Sequence, residues 1–239
     1  MDTPSTSGRV AFICAMPMEL RPLVKKLTLR KTEVGGVALH TGDVAGREAV
    51  AIVTGMGTKL ATEATKRLLE VVSIDHVVVV GITGAVENLT PIGTLILPEV
   101  VVNSATGTQH RPTPLGGGTP HGTMWTTDEL LTESDVVAGL REKGVVSLDM
   151  ETAAIAEVCE QHGVPWSVFR VISDRATDGS VDAEVFHLSN QDGTPNGPAI
   201  ARYFAKHPGR IPQMARLAKG AKLATETAAD AAIHAASAS

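Results

Sequence analysis

The stretch Asp75-His76-Val77-Val78-Val79-Val80-Gly81 reads as a β-strand, and its centre is apolar without interruption. A strand that faces water on one side alternates apolar and polar residues. Four consecutive valines instead require cover on both faces, which is the position of a central strand in a sheet with helices on either side. Outward from this run, the same kind of segment recurs. Arg9–Ala15, Val145–Leu148 and Trp166–Ser173 are short, apolar and β-rich. Between them lie segments with helical spacing. Met18–Leu29 carries Leu20, Leu23, Val24 and Leu27, and a second helix runs from the Gly55-Met56-Gly57 turn to about Val72. A third extends from about Met150 to His162 and stops at Gly163 with Pro165 beyond. Ala38–Val44 and Glu48–Thr54 read as strands joined at Ala45-Gly46, and Gly93–Pro98 as a further short strand. Strand–helix alternation predicts an α/β fold: a single domain with a central, mostly parallel or mixed sheet flanked by helices.

Three segments depart from that rhythm. Asn103–Thr123 is rich in Gly, Pro, Thr and His, includes Gly116-Gly117-Gly118, and is expected to be a long mobile loop. From Pro198 the chain is helical in character. The Ala-rich end, residues 211–239, is expected to be a weakly packed helical extension of a 9–210 domain, frayed at Ser237–Ser239.

Composition narrows the function. The 239 residues carry a formal net charge of −5, and the densest cationic cluster is only Lys25, Lys26, Arg30 and Lys31. That is no footprint for nucleic acid, so a small-molecule partner is expected. Cys14 and Cys159 each sit in an apolar run and read as buried hydrophobes rather than a disulfide or zinc pair. Met1–Gly8 lacks the apolar centre of a secretion signal, and no apolar run reaches membrane-spanning length, so the expected location is cytoplasmic, with no membrane partner. His110 and His121 stand apart with no metal-ligand spacing, no Gly-x-Ser-x-Gly elbow occurs, and Gly55-x-Gly57 lacks the rest of a dinucleotide or P-loop fingerprint. Asp178, Asp182 and Glu184 read as a solvated face.

Three acids remain. Glu19 follows the first strand, Glu151 lies in the first turn of the helix after Val145–Leu148, and Asp174 follows Trp166–Ser173. Ligands of open α/β sheets bind outside the carboxyl ends of the strands, so acids at three such ends can converge on one crevice. Each could equally serve its helix terminus as a cap or dipole partner, and Asp149 is assigned that simpler role.

Taken in order, Ala15-Met16-Pro17-Met18-Glu19, Gly55-Met56-Gly57, Gly81-Ile82-Thr83-Gly84-Ala85, Asp149-Met150-Glu151-Thr152-Ala153-Ala154 and Ser173-Asp174 resemble the motifs of the purine and uridine phosphorylase superfamily. The likeness is to its nucleosidase branch, typified by 5′-methylthioadenosine/S-adenosylhomocysteine nucleosidase, and runs from about residue 9 to 178. It implies a nucleoside phosphorylase-like fold, no cofactor or metal, and a homodimer. It also implies roles. Asp174 would be the general acid on the purine N7 and Glu19 the base that deprotonates water. Glu151 would bond the ribose hydroxyls, Met150 would pack on the sugar, and Ser173 would hold Asp174. Thr83 and Gly84 would line the site, the backbone at Val168-Phe169 would lie near the base with Arg170 a weaker neighbour, and Leu130 would take the place of a base-stacking aromatic, with Trp125 as a substitute.

The chain departs from the phosphorylases where they hold phosphate. An ungapped match puts Val79 and Ile82 at their Arg and Ser positions, and neither side chain can bond a dianion. The expectation is therefore hydrolysis of a purine nucleoside, adenine-bearing and 5′-substituted. The alternatives are a phosphate-dependent phosphorylase and a non-catalytic nucleoside-binding protein. The residues that read the base and the 5′ group are expected within 103–124.

Overall fold

A computed structural model describes residues 8–238. The polar start of the chain, through Ser7, and Ser239 lie outside the described residues. The valine run is the hub of the sheet. Strand β5 (His76–Ala85) pairs in parallel with β1 (Val10–Cys14) on one side and with β11 (Trp166–Arg175) on the other. Beyond β1 lie β4 (Arg47–Val53), parallel to it, then β3 (Val37–Val44) and β2 (Arg30–Val34), both antiparallel to their neighbours. The far end of β5 also pairs antiparallel with β10 (Val145–Asp149), which leads on to β9 (Thr123–Thr126), β7 (Val100–Asn103) and β8 (Gln109–His110). The short β6 (Leu95–Ile96) closes on β11. The sheet is mixed, as expected from the sequence.

Alternate residues of the central strands feed two apolar layers. Ala11, Ile13, Val77 and Val79 pack with α2 (Thr58–Val71) and α4 (Thr152–Gln161) on one face. Val10, Phe12, Val78 and Val80 pack on the other face, against α1 (Pro17–Lys26) and the long α7 (Ile211–Ser237). The remaining helices, α3 (Ser134–Glu142), α5 (Ala183–Phe186) and α6 (Gly197–Lys206), are peripheral. Among the described residues no helix is long and apolar enough to cross a membrane.

Two expectations are corrected. The Ala-rich end does not pack weakly: Ala224, Ala228, Ala229, Ala232, Ala235 and Ala236 are buried in the second apolar layer. Small side chains let the helix lie close against β11 and β5, and the helix continues through Ser237. The segment from Asn103 to Thr123 is not a free loop either. Its β8 pairs with β7, Thr113 donates its N–H to the Trp166 carbonyl at 2.7 Å, and buried His110 pairs with Glu160 at 2.8 Å. These anchors turn it into a strap across the β11 side of the sheet.

Candidate active site

The carboxyl ends of β1, β5, β10 and β11 open into one cavity of about 260 Å³. Glu19, Thr83, Gly84, Met150, Glu151, Ser173, Asp174 and Leu130, all named from sequence, line it. Phe169 does not. Its side chain is buried on the α7 face, because Phe169 and Arg170 are successive strand residues that point to opposite sides of the sheet. Trp125 is also absent from the lining and packs instead with Val137 and Leu140. No residue of 103–124 reaches the cavity, whose apolar lining instead includes Leu130, Leu131, Val181, Val185 and Phe186.

Glu19 shows how a helix cap becomes a site residue. As the third residue of α1 it reaches back to the start of its own helix, and its Oε2 accepts from the N–H groups of Ala15 and Met16 at 2.8 and 2.9 Å. Its Oε1 accepts from Ile82 N at 2.8 Å on β5. Burial raises its pKa, against the opposing pull of Arg170 and the three backbone bonds. The carboxylate is thus fixed in place yet more basic than a free glutamate.

Arg170 is the centre of the site, and sequence reading ranked it too low. It sits on β11 opposite Gly81, 2% exposed. Its Nη2 donates to Asp149 Oδ2 at 2.9 Å and Glu151 Oε2 at 3.1 Å, and its Nη1 donates to the Ile82 carbonyl at 3.0 Å. Glu19 Oε1 lies 3.5 Å from Nη1. Burial works against the guanidinium charge, but Asp149, Glu151 and Glu19 together hold its pKa above the usual arginine value. Gly81 makes this possible, since a Cβ there would stand 2.2 Å from Glu19 Oε1 and 2.7 Å from Arg170 Nη1.

One guanidinium stands beside three buried carboxyl groups. Burial first, then the repulsion of Asp149 and Glu19, pushes Glu151 up to about 7 despite Arg170. Asp149 is saturated: Thr126 Oγ1 donates to its Oδ1 at 2.6 Å, while Thr152 N donates to its Oδ2 at 2.9 Å. That is the helix-terminus role expected of it. Glu151 N-caps α4 but turns its carboxylate away, accepting Gly57 N at 2.9 Å on Oε1.

Asp174 stands apart from this cluster. The pairing of β11 with β5 slips between Ile172 and Asp174, so Ser173 is an inserted residue and Asp174 faces Gly84. Such a bulge re-aims a side chain at the end of a strand. The Ser173 hydroxyl donates to Asp174 Oδ1. Burial raises the Asp174 pKa, the Ser173 bond opposes this, and Asp178 adds to the rise. The cavity therefore holds two separate buried carboxyl groups, Glu19 and Asp174, each with its pKa raised by burial. Thr83 is more structural than expected: its hydroxyl donates to the Leu148 carbonyl at 2.7 Å.

The family model described as the phosphorylase superfamily matches residues 9–119 and 115–206. A 5′-methylthioadenosine/S-adenosylhomocysteine nucleosidase of Bacillus thuringiensis is 27% identical over 220 residues, covering 76% of this chain and 95% of that protein. The Streptococcus pyogenes S-adenosylhomocysteine nucleosidase structure, with 5-methylthiotubericidin, superimposes with a TM-score of 0.74 at 17% identity, covering 99% of both chains. A Helicobacter pylori futalosine hydrolase gives a TM-score of 0.69 at 15% identity, covering 94% of this chain and 95% of that one.

Proposed function

Because the chain belongs to the phosphorylase superfamily, we propose that it is a purine nucleosidase, hydrolysing the N-glycosidic bond of its substrate to release the free base. One observation carries the choice of water over phosphate: Arg170 is already engaged by Glu19, Asp149, Glu151 and the Ile82 carbonyl. A phosphate dianion beside three carboxylates and one spent guanidinium would meet net repulsion. Val79 is buried in the first apolar layer, and Ile82 offers the cavity only an alkyl side chain. A neutral water meets no such barrier.

In this reading Asp174 gives its proton to N7 of the purine. The C1′–N9 bond breaks, its electron pair leaves with the base, and positive charge develops on the sugar. Glu19 orients a water and takes its proton as the oxygen bonds to C1′. Glu151, with a pKa near neutrality, serves the ribose hydroxyls, and Met150 covers the sugar. Proton transfer and charge stabilisation account for the cleavage, so the reading calls for no cofactor. We further propose that the enzyme works in the cytoplasm as a homodimer, which the family resemblance supports.

The nucleosidases among its relatives support an adenine-bearing, 5′-substituted substrate. The apolar wall of Leu130, Leu131, Val181, Val185 and Phe186 suits an uncharged 5′ substituent. The test is a panel of 5′-methylthioadenosine, S-adenosylhomocysteine, adenosine, inosine and futalosine, read by chromatography for free base. The expected result is adenine release with the highest kcat/KM for 5′-methylthioadenosine. Binding without base release from any of the five would instead favour a nucleoside-binding protein.

A further inference from the structure

We propose that Asp128 is a positioning residue that sets the affinity of the cavity for its nucleoside. This rests on the function proposed above. Residues 127–133, between β9 and α3, have no regular secondary structure. Thr127, Glu129, Leu130, Leu131 and Thr132 all line the cavity, and between them Asp128 does not. It turns outward to the start of α2, where Thr58 N donates to its Oδ1 at 2.8 Å and Thr58 Oγ1 donates to its Oδ2 at 2.5 Å.

The start of α2 needs such a partner. Its N-cap is Gly57, which has no side chain to cap the helix. The first amides are satisfied from outside, by Glu151 on Gly57 N at 2.9 Å and by Asp128 on Thr58 N. Two carboxylates from two walls of the cavity therefore meet on consecutive amides of one helix end, where the helix dipole favours both. The carboxylate assigned to the sugar and the segment expected over the base thus share one anchor. The fit is close: Gly57 has φ +96°, and a Cβ there would lie 3.2 Å from Asp128 Oδ1. One residue before Asp128 the segment is also tied by Thr127 N to the Asp149 carbonyl at 2.9 Å.

Asp128 touches none of the groups that move protons, so its loss should displace the wall and leave the chemistry alone. The experiment is steady-state kinetics on 5′-methylthioadenosine with wild type, Asp128→Ala, Asp128→Asn and Thr58→Val. Wild-type base release comes first, since its absence fails the functional reading and not the anchor. Asp128→Ala is expected to raise KM about tenfold or more, because small misplacements of binding groups are costly. Its kcat should stay within about threefold of wild type, with the pH profile of kcat unmoved. Asp128→Asn keeps an acceptor for Thr58 N and should recover most of the affinity. Thr58→Val removes the hydroxyl bond from the other side and should raise KM in the same sense. A wild-type KM in both Asp128→Ala and Thr58→Val, or a loss confined to kcat, would overturn the proposal.

Discussion

Asp174→Asn is expected to lower kcat for base release by about 10³-fold, within the range that a positioned general acid supplies. The substitution is nearly isosteric, and its side-chain oxygen can still accept the Ser173 hydroxyl. What it removes is the ionisable proton. In the wild type, burial keeps that proton on Asp174 above the ordinary range for aspartate. The same cause fixes the pH response. Activity should fall as pH rises through the raised pKa, because the deprotonated carboxylate has nothing to give N7. Turnover of the variant at a single pH, with its fold checked by circular dichroism, reads the effect. Wild-type turnover in Asp174→Asn would end the assignment.

Arg170→Met is expected to be the most destabilising single change at the site. Removing one partner of a buried ionic cluster costs ~3–5 kcal/mol, since the remaining charges stay buried without compensation. Methionine fills much of the volume, so the loss would report charge rather than a cavity. The pH dependence makes the cause testable. Without Arg170 the carboxyls of Glu19 and Glu151 are pushed further up, so the native state binds protons that the unfolded chain has released. Stability gained by that protonation is fully present below the unfolded pKa, about 4.5 for glutamate, and is lost as pH rises through the native values. The deficit of the variant in urea titrations should therefore be small near pH 4.5 and large at pH 8. A deficit independent of pH would mean that packing, not charge, is what Arg170 supplies.

Sequence patterning made the centre of this fold legible and its edges obscure. The valine run announced a two-faced central strand because burial on both sides leaves no alternation. Strand β2 was missed for the opposite reason: Arg30–Val34 is exposed along its whole length and carries no apolar pattern. The Ala-rich helix looked like a poor packer because alanine buries little area. Its value lies in close approach, which depends on the partner surface of β11 and β5. The strap from 103 to 123 looked free because its anchors are distant in sequence, Thr113 to Trp166 and His110 to Glu160.

The site divides in the same way. Three acids at three strand ends were visible, since strand ends are where ligands gather. Arg170 was underrated although a signal was present: a lone arginine within Val168-Phe169-Arg170-Val171-Ile172 cannot stay buried unpaired. Its partners are separated from it by 19, 21 and 151 residues, so only the fold unites them. The same strand parity that aims Arg170 into the site sends Phe169 away from it. The segment 103–124, expected to read the substrate, does not line the cavity, and the apolar residues that do carry no mark of that position in sequence.

The central claim is that water, not phosphate, opens the glycosidic bond. Its most direct test is the release of adenine from 5′-methylthioadenosine in phosphate-free buffer and again with millimolar phosphate, with the sugar product identified in each case. The account predicts equal rates in the two buffers and a free 5-methylthioribose product in both. Base release only when phosphate is present, with a sugar 1-phosphate as product, would contradict it.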